Sequence, residues 1–118
     1  MHCKELRFNR RHAVDFTVYL MWDGQLVEAS ARNISLHGIL LVGKRIDLFT
    51  GRQVKVCCIA SRRYYELAGT VVHSGNGWVG ICFITPQPAF LQVVLARVEN
   101  EDNRAAGMIP VRPTTVLL

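Results

Sequence analysis

The chain has 118 residues, of which 50% are hydrophobic and 19% are charged, and its formal net charge is +5 at pH 7. These values are typical of one folded domain, and they exclude a disordered chain, which lacks the apolar residues that a core needs. They also exclude a cofactor domain paired with a substrate domain, for which the chain is too short. No apolar run approaches the roughly 20 residues of a membrane span and the N-terminus is polar, so we expect a cytoplasmic protein.

The first predicted element is a basic arm over residues 1–11. Its cations are Lys4, Arg7, Arg10 and Arg11, and it contains a single acidic residue. We expect the arm to be flexible, because it has few apolar side chains and its like charges repel one another. Such an arm favours an anionic partner, namely a nucleotide, a nucleic acid or a membrane surface. A solvated tail without a partner would have the same composition.

Six predicted strands follow, because apolar and polar residues alternate in short segments separated by turn-forming residues. In chain order they cover residues 14–20, 25–31, 39–42, 53–60, 64–73 and 78–84. Asp23-Gly24, between the first two, is typical of a tight hairpin turn because both residues tolerate positive φ. Short strands at this spacing predict a closed or nearly closed antiparallel barrel.

The periodicity becomes helical after the last strand, beyond Pro86 and Pro88. The apolar stripe of the predicted helix consists of Phe90, Leu91, Val94, Leu95 and Val98. One helix is therefore predicted to pack on the barrel and to complete a domain over residues 12–100. Residues 101–118 mix charges, Gly and Pro with an apolar end, and we expect a flexible tail.

Candidate catalytic and metal-binding groups are sparse. The four histidines are scattered, no pair of carboxylates stands out, and there is no nucleophile elbow or phosphate-binding loop. Cys57 and Cys58 are neighbours that would lie on opposite faces of a strand, and no CxxC pair is present. We therefore expect a protein that is not an enzyme and has no metal or cofactor, with cysteines that serve as buried thiols.

Two arginines at RxxxR spacing, Arg7 and Arg11, lie just before the first strand, with Arg10 beside them. A guanidinium fork can donate paired hydrogen bonds to O6 and N7 of guanine or to two phosphate oxygens, which a lysine ammonium cannot do in the same planar way. The segment is therefore a candidate site for a guanine nucleotide. Alone, this spacing also arises by chance in basic segments.

A second motif, Asn33-Ile34-Ser35-Leu36-His37-Gly38, connects two predicted strands as NxSxxG. One interpretation is a capped turn, in which Asn33 and Ser35 bond to the local backbone and Gly38 supplies positive φ. The other is a wall of a ligand site, where Gly38 permits close approach of the backbone. The order of the two motifs, RxxxR before the first strand and NxSxxG after the hairpin, favours the second.

With these motifs in this order, on short strands followed by a helix, the chain resembles the PilZ domain family, whose members have RxxxR followed by (D/N)xSxxG. The resemblance covers residues 4–100 and includes Gly80-Ile81-Cys82-Phe83, which is similar to the last strand of that family. It implies an all-β fold, a six-stranded antiparallel β-barrel with a C-terminal α-helix. It also implies a receptor that binds cyclic di-GMP, changes conformation and signals to a partner protein.

The resemblance assigns the site residue by residue. The ligand-binding residues that it implies are Arg7, Arg10, Arg11, Asn33, Ser35 and Gly38. The arginine pair would bind guanine edges and phosphates with Arg10 assisting, and the other three would line the opposite wall. The family often has a further arginine directly before RxxxR, where this chain has Leu6. The sequence therefore leaves open whether one or two ligand molecules bind.

Two other functions stay open from the sequence. A nucleic-acid-binding barrel is supported by the positive charge and by Arg62-Arg63-Tyr64-Tyr65, where cations adjoin rings that could stack on bases. A PilZ-like module that binds only a protein partner and has lost nucleotide binding is the second alternative, although both motifs are intact. We expect a protein partner and no DNA partner.

Overall fold

The computed structural model describes residues 10–96. Its strands are β1 (His12–Trp22), β2 (Gln25–Ile34), β3 (Gly38–Val42), β4 (Gln53–Ala60), β5 (Arg63–Gly75) and β6 (Trp78–Phe83). Residues 88–96 form the described part of one helix, α1. Arg7, Val98 and the predicted tail over residues 101–118 lie outside the described residues, as does the predicted arm apart from Arg10 and Arg11.

The six strands form one closed barrel in the order β1-β2-β3-β6-β5-β4, with antiparallel pairing throughout. Strands that are adjacent in the chain pair as hairpins, except that β3 and β4 are separated. Two pairs of strands that are distant in the chain close the ring, β3 with β6 and β1 with β4. The predicted antiparallel β-barrel with a C-terminal helix is confirmed.

The alternation of the sequence becomes an inner and an outer face. The buried side chains of β1 are Val14, Phe16, Val18 and Leu20, and the residues between them are exposed or half-buried. Inward side chains from every strand form one core, which Phe90 and Val94 of α1 join. Burial of each such large apolar side chain contributes about 1.5 to 3 kcal/mol, so this core is the main source of stability.

The cysteines of the described range are buried. Cys58 belongs to the core, whereas its neighbour Cys57 pairs in register with Tyr19 and Glu66 on the other face of β4. Cys82 of β6 is buried as well. The interpretation as buried thiols is confirmed for these three, and Cys3 lies outside the described residues.

Two hairpin turns use residues with positive φ. Asp23 (φ 48°) and Gly24 (φ 74°) form the predicted turn between β1 and β2. Ser61 (φ 51°) and Arg62 (φ 63°) do the same between β4 and β5. Neither residue of the second turn is a Gly, Asn or Asp, so the turn holds two side chains in a region that L residues avoid.

Helix α1 begins at Pro88, where proline is favoured because the first N–H of a helix has no partner within the helix. The first regular hydrogen bond runs from the Leu91 N–H to the Gln87 carbonyl at 3.0 Å. The buried Phe90 ring packs against Tyr65 of β5 with a centroid distance of 5.0 Å. No helix within residues 10–96 is long and apolar enough to cross a membrane.

Candidate ligand-binding site

The NxSxxG segment forms a tight connection between β2 and β3. The Ser35 N–H donates to the Gly38 carbonyl at 2.9 Å, and the His37 N–H donates to Ser35 Oγ at 3.3 Å. Ser35 is only 1% exposed. Because the hydroxyl is buried and accepts a hydrogen bond from its own turn, the geometry supports the capped-turn interpretation for this residue.

Gly38 lies inside the sheet rather than in a left-handed turn. It is the buried first residue of β3 and pairs with Cys82 of β6. Among the described glycines, those with positive φ are Gly24, Gly51 and Gly77. Gly38 therefore does not supply the positive φ that the capped-turn interpretation assigned to it, because β3 is already extended at this residue.

The same turn is bonded to the segment that leads into α1. The Phe83 N–H donates to the His37 carbonyl at 2.8 Å, and the Gln87 N–H donates to the Leu36 carbonyl at 3.0 Å. Gln87 directly precedes the helix. A ligand that moved this turn would therefore also move the start of α1.

One recess on the outer face of the barrel brings residues of both motifs together. It encloses about 170 Å³. Its lining residues are Arg11, Asn33, Ile39, Leu40, His73, Trp78, Gly80 and Ile81. Ala13 pairs with Asn33, so the chain just before β1 passes beside β2 and places Arg11 at the recess. Arg10 is exposed and does not line it, and Arg7 lies outside the described residues.

The strand register explains why these residues share one face. Asn33 of β2 pairs with Leu40 of β3, Leu40 pairs with Gly80 of β6, and Gly80 pairs with His73 of β5. The four residues therefore form one row across four strands. The glycine in this row leaves bare backbone between its neighbours, and the recess lies there.

Two β-bulges turn polar residues of this row outward. In β2 the register shifts between Ala31 and Asn33, and in β5 it shifts between Val71 and His73. Ala31 and Val71 point into the core, so a strict period of two would also bury Asn33 and His73. The extra residue in each strand moves the next side chain from the core face of the sheet to the outer face. Bulges near functional sites commonly redirect side chains in this way.

The recess offers groups that suit an anionic heteroaromatic ligand. Arg11 supplies a planar cation and Asn33 an amide that both donates and accepts hydrogen bonds. His73 and Trp78 add two aromatic rings, and Trp78 is 38% exposed. None of the described residues that line the recess is acidic. The motifs predicted Arg11 and Asn33, whereas His73 and Trp78 are brought there only by the strand register.

The shifted pKa values lie on another face, on β4 and β5. Lys55 Nζ is 2.8 Å from the Glu66 carboxylate, and this hydrogen bond raises the pKa of Lys55 and lowers the pKa of Glu66. Hydrogen bonding with Cys57 raises the pKa of Tyr64. Within residues 10–96, no group of His, Cys, Asp or Glu could hold a metal ion.

The alternative nucleic-acid-binding surface, at the β4–β5 hairpin, exposes one aromatic ring for base stacking rather than the two that the sequence predicts. Tyr65 is half-buried and packs against Phe90. Tyr64 is 53% exposed, but its hydroxyl donates to the Glu66 carboxylate at 3.2 Å. A base stacked on Tyr64 would therefore approach an acidic group, which disfavours nucleic acid at this hairpin.

Fold and recess together define a small antiparallel barrel with a basic, aromatic recess on its outer face. The chain belongs to the PilZ domain family, whose model matches residues 5–100. PilZ domains are regulatory binding domains, generally receptors or effectors of cyclic di-GMP. No curated protein matches the chain.

Two solved structures have the same fold. The Bacillus subtilis inhibitor of motility MotI/DgrA aligns with a TM-score of 0.60 and 14% identity over 81% of this chain and 51% of that chain. The PilZ domain of CeSA from a cellulose-synthesizing bacterium aligns with a TM-score of 0.60 and 16% identity, over 79% and 98% of the two chains. The chain thus spans about half the length of MotI/DgrA. At these identities the likeness shows the fold alone.

Proposed function

We propose that this PilZ domain is a cyclic di-GMP receptor, which binds the nucleotide at the outer-face recess and signals to a partner protein. The observation that carries the proposal is that Arg11 of RxxxR and Asn33 of NxSxxG line the same recess. The two motifs are separated by a complete hairpin in the chain. Their convergence on one face supports a shared ligand rather than two unrelated local features.

The ligand chemistry fits this recess. Cyclic di-GMP carries two phosphate charges and two guanine bases, so a receptor needs cations and planar donors for O6 and N7. Arg11 would provide one fork, Arg7 a second from the arm, and the exposed Arg10 further positive charge. A few arginine contacts of roughly 1 to 3 kcal/mol each, less the entropy of ordering the arm, support an affinity near the micromolar range.

Ser35 and Gly38 contribute to the proposed site through the turn. Ser35 holds the turn closed from the buried side, and Gly38 sets the start of β3 between β2 and β6. Together they fix the chain that follows Asn33, so they would position its amide in the recess. Direct contact of Ser35 with the ligand would require the turn to open, because the residue is only 1% exposed.

A signal to the partner would pass through two routes. Ligand would draw the arginines of the arm onto the barrel, which changes the surface that a partner meets. Ligand at the β2–β3 turn would also act on α1, since Leu36 and His37 accept hydrogen bonds from Gln87 and Phe83.

Equilibrium dialysis with labelled cyclic di-GMP tests the proposal. We expect saturable binding that unlabelled cyclic di-GMP displaces and that excess GTP or single-stranded DNA does not. Displacement by DNA would instead support the nucleic-acid-binding alternative. Absence of binding would contradict the receptor function and leave a module that binds only a protein.

A further inference from the structure

We propose that the free edge of β2 binds an extended, acidic peptide segment of a partner protein, which adds to the sheet as a further strand. The edge lies beside a groove on the barrel surface, the β2 groove, which residues 26–30 and 42–45 line together with Thr17. The groove shares no described lining residue with the recess. The inference therefore goes beyond the proposed function, because it assigns a second, separate binding surface.

The free edge exists because β3 is much shorter than β2. Strand β2 pairs with β1 from Gln25 to Ile34, whereas β3 covers only Gly38–Val42. The β2–β3 ladder therefore ends at the pair of Ser30 with Val42. The part of β2 before Ser30 has a neighbouring strand on one side only.

The hairpin register shows which backbone groups face this edge. In a two-residue hairpin the residues that flank the turn exchange both hydrogen bonds, and bonded pairs then alternate with non-bonded pairs. Gln25 flanks the turn, so Gln25 and Val27 bond to β1. Leu26 and Glu28 lie in the non-bonded pairs and direct their N–H and C=O groups to the other side. Among the described residues, no backbone hydrogen bond from another segment reaches these two residues.

Such an edge is a template for strand addition. Unpaired N–H and C=O groups in an extended row pair with the backbone of an incoming strand, and natural proteins usually cover such edges or place charges on them. Here one edge residue is a large apolar one, since Leu26 is 60% exposed. The groove encloses about 490 Å³, within the roughly 300 to 1,000 Å³ of ligand pockets. Edge and groove together therefore fit an extended peptide.

The groove admits a single strand rather than a second barrel. Its far wall is the start of the β3–β4 loop, where a Cβ on Gly43 would lie 3.1 Å from the Glu28 carbonyl oxygen. The loop therefore runs close to β2 at this end of the groove. A strand from another copy would bring its own paired neighbour on its outer side, and that neighbour would meet the loop. An isolated peptide has no such neighbour.

The charges at the groove favour an acidic peptide. Lys44 and Arg45 are exposed, line the groove and form no ion pair with another described residue. Glu28 is the only acidic residue among the described lining residues. Since both cations directly follow β3, an added strand would run past them. Carboxylates on that strand would therefore meet complementary charge.

The test uses a fluorescently labelled peptide that alternates valine and glutamate over about six residues, the usual length of a strand. We expect saturable binding to the full chain in the absence of nucleotide, measured by fluorescence anisotropy. A peptide with lysine in place of glutamate should bind at least about 10-fold more weakly, because Lys44 and Arg45 repel it.

Two variants address the edge and the charge separately. Leu26→Pro removes one edge N–H, and proline is tolerated in a strand where that group has no partner. Arg45→Glu reverses one charge at the groove. We expect each variant to weaken peptide binding by about 10-fold or more. Arg63→Glu makes the same charge change at the start of β5, outside the groove, and is the matched control that should bind like wild type.

Amide hydrogen exchange adds a local readout. With saturating peptide, the N–H groups of Leu26 and Glu28 should exchange more slowly, because they gain partners in the added strand. The N–H of Val27 is already bonded to β1, so its exchange should change much less, and it serves as the internal control.

Several results would overturn the proposal. One is that the valine–glutamate peptide does not bind, or binds without slowing exchange at Leu26 and Glu28. Another is that single-stranded DNA displaces the peptide, which would indicate a general anion site. A third is self-association in sedimentation velocity that Leu26→Pro abolishes, which would identify a second copy as the occupant. Should Leu26→Pro fail to fold, Arg45→Glu and the exchange readout still decide the question.

The two proposals fail separately. Equilibrium dialysis with cyclic di-GMP tests the recess, and the peptide titration without nucleotide tests the β2 groove. A chain that binds the peptide but not cyclic di-GMP would keep this inference and lose the receptor function, and the reverse result would do the opposite.

Discussion

At the scale of single residues, Arg11 is the cation that links the arm to the recess. We predict that Arg11→Lys weakens cyclic di-GMP binding by roughly 1 to 3 kcal/mol, about 5-fold to 150-fold, because lysine keeps the charge but loses the planar fork. Equilibrium dialysis measures the change. Arg45→Lys, an exposed position outside the recess, is the control and should bind like wild type.

Salt dependence distinguishes recognition by Arg11 from simple charge attraction. If both lysine variants bind like wild type, and all three proteins lose affinity alike as salt rises, the arm only collects anions nonspecifically. Arg52 is unsuitable as the control because it forms an ion pair with Asp23, which joins the β1–β2 turn to the loop before β4.

Ser35 is a second residue whose role the geometry makes testable. We predict that Ser35→Ala lowers the free energy of unfolding by about 0.5 to 1.5 kcal/mol, because the buried hydroxyl holds the turn. Urea denaturation measures this cost, and Thr50→Ala, at an exposed loop position, is the control. A loss of affinity without a loss of stability would contradict the positioning role and indicate direct ligand contact.

The ion pair of Lys55 and Glu66 gives a prediction on pH. The pKa of Glu66 is lowered by its hydrogen bond to Lys55, so its stabilising contribution is present above the unfolded pKa of about 4.3 and is lost as pH falls through the folded value. The pKa of Lys55 is raised, so its contribution is present below about 10.4 and is lost as pH rises through its folded value.

Between those limits, wild type should be slightly more stable than Glu66→Gln, and the difference should disappear in acid and in strong base. The effect is small because both side chains are exposed to water. Urea unfolding of both proteins between pH 3 and pH 11, in steps of roughly one pH unit, measures this difference in the free energy of unfolding. A difference that persists unchanged at the acid end would contradict the assignment to this ion pair.

At the scale of elements, the bulges explain which parts of the site the sequence could predict. Asn33 was predicted from its motif, although its outward direction depends on the register shift in β2. His73 could not be predicted, because Leu67, Gly69 and Val71 alternate inward before it and only the bulge reverses the side. Periodicity predicts strands well, but it cannot locate one extra residue within them.

The β4–β5 turn gives a prediction at the same scale. Ser61 and Arg62 both have positive φ, and Asn-Gly is the pair that such a turn favours. We expect Ser61→Asn combined with Arg62→Gly to raise the free energy of unfolding by about 1 kcal/mol and to leave ligand binding unchanged. Urea denaturation measures the gain. Asn76→Gly in the β5–β6 turn, where the replaced residue does not have positive φ, is the control, and an equal gain there would contradict the explanation.

At the scale of the whole molecule, sequence patterns do not predict which strands pair to close the barrel. The alternation predicted six strands and their hairpins, and the helical stripe predicted α1. The pairs β3 with β6 and β1 with β4 join strands that are far apart in the chain, so no local turn specifies them. They form because closure buries the inward side chains of all six strands in one core and leaves fewer unpaired edges.

One shared core implies that ligand binding should stabilise the domain as a unit. With cyclic di-GMP at roughly 100-fold above its Kd, the free energy of unfolding should rise by about 2.7 kcal/mol, which raises Tm by roughly 10 °C for a domain of this size. Differential scanning calorimetry with and without ligand measures the shift.

Ile46→Val, a buried core position away from the recess, should lower Tm of both forms alike and keep the shift. Arg11→Lys should keep the Tm of the unliganded protein and reduce the shift at the same ligand concentration. A shift of wild-type size in Arg11→Lys would contradict a role of Arg11 in the ligand site.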